Sequence, residues 1–150
     1  MRSARFHLRN VRCCPVCRAS VSRTVETCSP ECSERLDDAR DSIGWIRVKT
    51  SDLCAALSEL EETLGLIQLK LEAQEQKLRG LSKNWTTLAL EGRFAKANKL
   101  RRVALSTQRR VRRLSRELKP LYKRWEVLKP EVVHAEQELQ ELEAILRGNN

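Results

Sequence analysis

Six cysteines are the residues of this chain best suited to site chemistry, and five of them fall between Cys13 and Cys32. Cys14 and Cys17 form a Cys-x-x-Cys pair, and after ten intervening residues Cys28 begins a second pair with Cys32. Four thiolates in two close pairs match tetrahedral Zn²⁺, which accepts four sulfurs at about 2.3 Å. A four-thiolate site leaves no open position for water, so the spacing predicts structural zinc and no catalysis at the metal.

The second cysteine pair carries the signals of a helix start. Ser29 is a good N-cap, Pro30 is a good first helical residue, and Glu31 adds negative charge to the first turn. We therefore expect Cys28 just before a helix and Cys32 in its first turn, where its sulfur faces the metal.

Cys-Pro-x-Cys, a short loop and then Cys-Ser-x-x-Cys at a helix start resemble the small treble-clef zinc knuckles of many bacterial and phage proteins. The resemblance covers residues 14–32 and implies a structural four-thiolate zinc site at the two cysteine pairs. Arg18 departs from the pattern because it stands where such knuckles often have Gly, which favours a less tight turn. Two alternatives stay open, since Cys13 can replace Cys14 as a ligand and His7 can replace one thiolate.

Composition and charge limit the classes of partner and compartment. The net charge of +9 makes anionic partners the default, with nucleic acid first and an acidic protein or membrane surface second. No apolar run approaches the roughly 20 residues that span a bilayer, and no secretory signal is present. We expect an intracellular, cytoplasmic protein with reduced cysteines, although the arginine-rich residues 1–12 also fit a mitochondrial presequence.

Two leucine-rich stripes must position these groups. Apolar residues recur at alternating spacings of three and four over residues 36–88 and again over 100–146, and only Thr50, Gln74 and Thr107 interrupt them. This period is typical of a coiled coil, whose core is a stripe and needs few aromatic residues. The sequence therefore predicts an all-α protein.

The two stripes do not share a phase, so residues 89–99 must contain either a turn or a stutter. We expect a turn that folds the chain into a long antiparallel coiled-coil hairpin, with helices of about 31–90 and 97–147, the second kinked at Pro120 and Pro130. A stutter would instead give one long helix that must dimerise. A monomeric hairpin and a homodimer both remain compatible with the sequence.

Three consecutive parts follow from this organisation, namely a basic N-terminal arm over residues 1–12, the zinc knuckle over 13–35 and the hairpin over 36–147. In the expected register Leu64 lies opposite Trp125, and Gly65 makes room for the indole ring.

Residues 93–124 form a basic segment with thirteen Lys and Arg residues against one acid, Glu117. On the heptad that places Val111 at position a, these cations fall outside the packing stripe. Arginine is permanently charged and binds oxyanions through two parallel hydrogen bonds, so the segment suits phosphates. The candidate nucleic-acid-binding residues are Arg101, Arg102, Arg109, Arg110, Arg112, Arg113, Arg116 and Lys119.

The sequence predicts a non-enzymatic, zinc-containing nucleic-acid-binding protein associated with RNA or a ribonucleoprotein. RNA is favoured over DNA, and aromatic residues do not interleave with the arginines, which indicates recognition of backbone or shape and not base stacking. The alternative is a coiled-coil adaptor, inhibitor or assembly protein of phage type that binds an acidic protein partner. An enzyme is not expected, because no carboxylate pair, Ser/His/Asp set or phosphate-binding glycine loop is present.

Overall fold

The computed structural model describes residues 11–147, and every structural statement below refers to that range. The elements in chain order are β1 (Val11–Cys13), β2 (Ser20–Ser22), α1 (Pro30–Leu90) and α2 (Phe94–Arg147). The two helices pack against each other as an antiparallel hairpin, which confirms the predicted fold class. None of the helices described combines the length and the apolar character needed to cross a membrane.

The two strands are an addition to the all-α prediction. They pair antiparallel, with Arg12 opposite Val21 and Cys13 opposite Ser20. Each strand has three residues, which is too short to show the alternating pattern by which strands are recognised in a sequence.

The break in phase between the stripes is a turn and not a stutter. Gly92 has φ 72°, a left-handed conformation that favours glycine. Its N–H donates to Ala89 O at 3.1 Å, and Arg93 N–H donates to Leu88 O at 2.9 Å. These two bonds form a Schellman motif, which ends α1 and returns the chain.

Helix α2 runs from Phe94 to Arg147 through both internal prolines. Each proline lacks the N–H that would bond to the carbonyl four residues earlier. Because α2 is nevertheless continuous, the helix does not restart at Pro120 or Pro130. A bend at either residue stays a prediction.

The hairpin comprises two compact units. The cysteine unit joins the described residues up to Ala55 with those from Pro130 to Arg147, and the basic unit is Ala56–Lys129. Both contain parts of α1 and α2. Every stripe position over 36–88 and 100–146 is buried or half-buried, which confirms the sequence-derived packing face.

In the cysteine unit, the core consists of buried side chains on both helices. Leu36 and Ala39 on α1 are at most 1% exposed, as is Ala135 on α2. The polar interruption at Thr50 is satisfied, because its hydroxyl donates to Ile46 O at 2.8 Å and has Ala135 O as a longer acceptor at 3.3 Å. The hydroxyl thereby links α1 to α2 without leaving an unpaired polar group.

In the basic unit, Leu60, Leu64 and Leu118 form the buried core, and Trp125 packs against them. Burial of each leucine side chain stabilises the unit by about 1.5–3 kcal/mol. Leu64 and Trp125 thus lie in one cluster, as the register predicted. The expectation that Gly65 makes room for the indole is wrong, since a Cβ built on Gly65 would meet no atom within 4 Å.

The polar interruption of the stripe in the basic unit differs from that at Thr50. Gln74 Oε1 is buried and has no hydrogen-bond partner among the described residues. Leaving such an acceptor unpaired costs about 1–3 kcal/mol. The basic unit is therefore less completely satisfied in its interior than the cysteine unit.

Candidate metal centre and basic surface

The first cysteine pair lies in a loop that follows β1. Cys14 N–H donates to Ala19 O at 2.7 Å, and Arg18 N–H donates to Cys14 O at 2.9 Å. These two backbone bonds close the loop around Cys17. Cys14 is completely buried and Cys17 is exposed, so the pair presents one inner and one outer sulfur.

Arg18 has a left-handed backbone conformation, which favours glycine. Its φ is 65°, and a left-handed conformation of a residue with a Cβ costs about 1–2 kcal/mol. Its guanidinium Nη2 donates to Ala144 O at 3.4 Å, in the last turn of α2. A cation on a C-terminal carbonyl is favourable. The side chain of Arg18 therefore offers a helix cap that glycine cannot supply, and the turn closes without glycine.

The second cysteine pair is positioned by the start of α1. Ser29 Oγ accepts a hydrogen bond from Cys32 N–H at 3.2 Å, which confirms the predicted N-cap. Hydrogen bonds from the Ser29 side chain and from its own backbone amide lower the pKa of Glu31. The cap fixes Cys28 just before the helix and Cys32 in its first turn.

The four predicted sulfurs come together in one group. The Sγ atoms of Cys14, Cys17, Cys28 and Cys32 all lie within 4.8 Å of one another. Cys17 Sγ and Cys28 Sγ are 3.2 Å apart, and Cys28 Sγ and Cys32 Sγ are 3.6 Å apart. A tetrahedron with metal–sulfur bonds of about 2.3 Å has sulfur–sulfur edges of about 3.8 Å. The group can therefore hold a metal ion after small adjustments.

The geometry also distinguishes between the adjacent cysteines. Cys13 is exposed on β1 and does not belong to the four-sulfur group, which contains Cys14 instead. His7, the other alternative ligand, lies outside the described residues. Cys54 stands apart on α1 with its Sγ 3.6 Å from Glu136 Oε1, and burial together with that carboxylate raises the pKa of its thiol.

Proton binding differs sharply between two of the four thiols. Burial raises the pKa of Cys14, but backbone amides of Cys17, Cys28 and Val16 and the Cys17 thiol outweigh burial and lower the pKa to about 6. Hydrogen bonds from Cys28 to Cys17 and Cys32 raise the pKa of the Cys28 thiol to about 12. One thiolate is thus stabilised by amides, whereas further thiolates so close to it need a cation to balance their charge.

The predicted phosphate-binding residues all lie on α2 within the basic unit, and all are exposed. From residue 101 to residue 119 they extend over about 27 Å of helix at 1.5 Å per residue. Arg102, Arg109 and Arg116 share one heptad position and recur about every 10 Å. The structure therefore distributes these cations along the helix and does not gather them into one pocket.

Few of the thirteen cations of residues 93–124 have a carboxylate partner among the described residues. Arg113 Nε lies 3.0 Å from Glu117 Oε1, and Arg93 Nη1 lies 3.7 Å from Glu91 Oε2. The other eleven have no ion-pair partner in the described part of the chain. Their charge is available to an external anion.

Helix α1 adds a cation that the sequence analysis did not include. An open cleft of about 350 Å³ in the basic unit has Lys70 and Gln74 of α1 on one side and Arg110 and Arg113 of α2 on the other. Lys70 is isolated in the sequence, so only the pairing of the helices places it beside the arginines.

Phe94 is the second residue whose place became clear only in the structure. It is 66% exposed at the start of α2, between Arg93 and Lys96, and Leu90 on the other side of the turn is 85% exposed. The sequence contained this signal, because an aromatic residue directly follows the first arginine of the basic segment. The position of Phe94, directly after Arg93, contradicts the expectation that aromatic residues do not interleave with the arginines.

Comparison of the chain with protein-family models, with curated proteins and with solved structures found no match. The assignment of a function therefore depends on the sulfur group and on the distribution of charge.

Proposed function

We propose that Cys14, Cys17, Cys28 and Cys32 hold one structural Zn²⁺. The support is the four-sulfur group itself, whose sulfur–sulfur separations of 3.2 and 3.6 Å lie near the edge length of a tetrahedral thiolate site, about 3.8 Å. The ion would join the loop after β1 to the first turn of α1, and its positive charge would offset the repulsion among the four thiolates. A small ribbon of two three-residue strands has little core of its own, so the metal would supply much of its stability.

Metal content tests this assignment. The purified protein should contain one zinc per chain by elemental analysis, and Co²⁺ exchanged into the site should show the intense visible absorption of tetrahedral thiolate coordination. A Cys54→Ser variant is the matched control and should keep the metal. Protein that neither retains zinc nor binds Co²⁺ would contradict the assignment.

We further propose that the protein is not an enzyme and binds RNA, as a component of a ribonucleoprotein, through the basic segment of α2. The single observation that carries this proposal is the set of eleven exposed cations without an ion-pair partner among the described residues. Like charges four residues apart on a helix destabilise it by a few tenths of a kcal/mol per pair. A polyanion would relieve this repulsion.

Charge also differs between the units in a way that favours one binding surface. The basic unit has eighteen Lys and Arg against eight Glu, whereas the described residues of the cysteine unit have eight against twelve Asp and Glu. Phosphate contacts along the exposed faces of α2 would give strong and weakly sequence-selective binding. RNA is favoured because double-stranded RNA is recognised largely by shape and by its backbone.

The experiment is a titration of a labelled RNA duplex at several salt concentrations. Each neutralised phosphate contributes a slope of roughly −0.9 to the plot of log K against log salt, so contacts with several phosphates predict a slope steeper than about −3. A flat plot, or no binding at low salt, would remove the proposal. The same titration with a DNA duplex of equal length tests the preference for RNA.

A matched pair of variants locates the binding surface. Arg109→Glu with Arg110→Glu changes two cations of the basic segment, and Arg23→Glu with Arg35→Glu changes two exposed cations of the cysteine unit. The first variant should weaken RNA binding at least tenfold and the second should not. If binding from a host lysate survives nuclease treatment and is lost only in the first variant, the partner is an acidic protein and the adaptor alternative is correct.

A further inference from the structure

Two large apolar side chains flank the hairpin turn and remain in solvent. Leu90 is 85% exposed and Phe94 is 66% exposed. Neither belongs to a packing stripe, so neither contributes to the hairpin core. Pairing of the two helices therefore does not explain why these two apolar side chains are present at the turn.

The turn holds these two side chains at defined positions. Leu90 is the last residue of α1 and Phe94 is the first residue of α2, and the bonds at Gly92 and Arg93 fix the three residues between them. Both side chains are attached to helix ends, where the backbone is already ordered. An incoming group would therefore meet a preformed apolar surface and not a flexible loop.

Cations lie beside this apolar surface, since Arg93, Phe94 and Lys96 line one open cleft at the turn. Arg93 precedes Phe94, and Lys96 and Lys99 follow it on the first turns of α2; all three are exposed. The one acid nearby in the sequence, Glu91, lies 3.7 Å from Arg93. The basic residues continue along α2 into Arg101 and its neighbours, so the turn is contiguous with the surface proposed above to contact phosphates.

We propose that the hairpin turn is a docking site for an unpaired RNA base, which stacks on Phe94 while flanking phosphates contact Arg93 and Lys96. This inference rests on the proposed function and adds a second mode of recognition to it. An aromatic ring between cations is the arrangement by which proteins hold single-stranded nucleic acid, because every base has a stacking face and every nucleotide a phosphate. Helix α2 would contact the backbone of a stem, and the turn would contact a loop or bulge.

An unpaired base fits this surface better than a lipid bilayer does. Membrane binding scales with the apolar area that is inserted, and here that area comes from two side chains. The adjacent cations extend along α2 for several turns, which suits a nucleic-acid backbone that continues beyond the stacked base.

The test uses three RNAs. Two are hairpins of equal length and charge, one with an unpaired loop and one closed by a stable four-base turn, and the third is a blunt duplex. Phe94→Ala should lose about tenfold in affinity for the looped RNA and should bind the blunt duplex as the wild type does. Phe94→Tyr should retain the wild-type affinity for the looped RNA. Val127→Ala, which truncates an exposed apolar side chain elsewhere in the basic unit, is the matched control and should change neither affinity.

The outcomes separate this inference from the proposed function. If the wild type binds no RNA at low salt, the proposed function itself fails and the docking site fails with it. If the wild type binds RNA with a steep salt dependence but Phe94→Ala leaves the looped RNA unaffected, only the docking site is overturned. Binding to phosphatidylserine vesicles that requires Phe94, without a preference for looped RNA, would assign the turn to a membrane surface instead.

Discussion

The cysteine unit and the basic unit contain parts of the same two helices, yet they differ in how their charges are used. In the cysteine unit, Arg47 and Arg147 both pair with Glu143, at 3.2 and 2.6 Å, and Arg40 pairs with Glu26. In the basic unit, most cations of α2 have no carboxylate partner among the described residues. Three cations of the cysteine unit are thus paired within the protein, whereas only two of the thirteen cations of residues 93–124 are paired among the described residues.

The starts of the two helices also differ, because α1 has a side-chain cap and α2 does not begin with a residue that can provide one. Ser29 caps α1 with a side-chain oxygen, and the residues around this cap include two of the four cysteines. Arg93 precedes α2 and has no side-chain oxygen, so it cannot cap the helix in this way. The N-terminal amides of α1 thus receive a side-chain cap, whereas the start of α2 retains its positive partial charge.

The largest expected effect is loss of the proposed metal site. Cys32→Ser should abolish stoichiometric zinc binding and unfold the β ribbon, because metal binding supplies about 10–16 kcal/mol in small zinc modules and is coupled to folding. Hydrogen exchange should show lost protection over residues 11–35 and unchanged protection in the basic unit. Cys13→Ser is the control, and a ribbon that stays protected in Cys32→Ser would contradict the assignment of this residue.

A core truncation in the basic unit should be the next largest effect. Leu118 is 6% exposed and forms the buried core of the basic unit with Leu60 and Leu64, so Leu118→Ala should lower the free energy of unfolding by about 2–5 kcal/mol. Leu105 on the same helix is 48% exposed, and Leu105→Ala should change that free energy by less than about 0.5 kcal/mol. Urea unfolding monitored by circular dichroism measures both, and equal effects would mean that the stripe is not the packing face.

Two glycines give a smaller but more specific contrast. Gly92 has φ 72°, so Gly92→Ala should destabilise the protein by about 1 kcal/mol although no atom lies within 4 Å of the added Cβ. Gly80 lies inside α1 with equally open surroundings, so Gly80→Ala should stabilise it by up to about 1 kcal/mol. Thermal unfolding of the two variants measures these shifts in stability. Stabilisation by Gly92→Ala would contradict a left-handed conformation at Gly92.

The smallest effect concerns acid sensitivity in the cysteine unit. Hydrogen bonds from Arg47 and Arg147 hold the pKa of Glu143 below its usual value. A carboxyl whose pKa is lower in the folded state stabilises the fold at pH values above its unfolded pKa, about 4.3, and loses this contribution as the pH falls through the folded pKa.

Glu143→Gln should therefore lower the thermal midpoint at pH 7, and the difference from the wild type should disappear under strongly acidic conditions. The exposed Glu141, which has no ion pair among the described residues, provides the control variant Glu141→Gln. A difference between Glu143→Gln and the wild type that persists unchanged at acidic pH would show that the two ion pairs are not its cause.

The sequence predicted the parts of this structure that depend on local chemistry. The helix period, the change of phase before Leu100, the Ser29 cap and the two cysteine pairs each follow from residues close together in the chain. The β ribbon was not predicted because three-residue strands show no period. Lys70 beside Arg110, and the guanidinium of Arg18 on Ala144, depend on pairing between distant segments, which spacing within one helix does not specify.

Ultraviolet crosslinking of the protein to a looped RNA hairpin, followed by identification of the crosslinked peptides by mass spectrometry, is the most direct test of the central claim that the basic unit binds RNA. The account predicts crosslinks within residues 93–124, with the strongest at Phe94, and none within residues 131–146. Crosslinks confined to the acidic residues 131–146 or to the cysteine loop, with residues 93–124 unmodified, would contradict it.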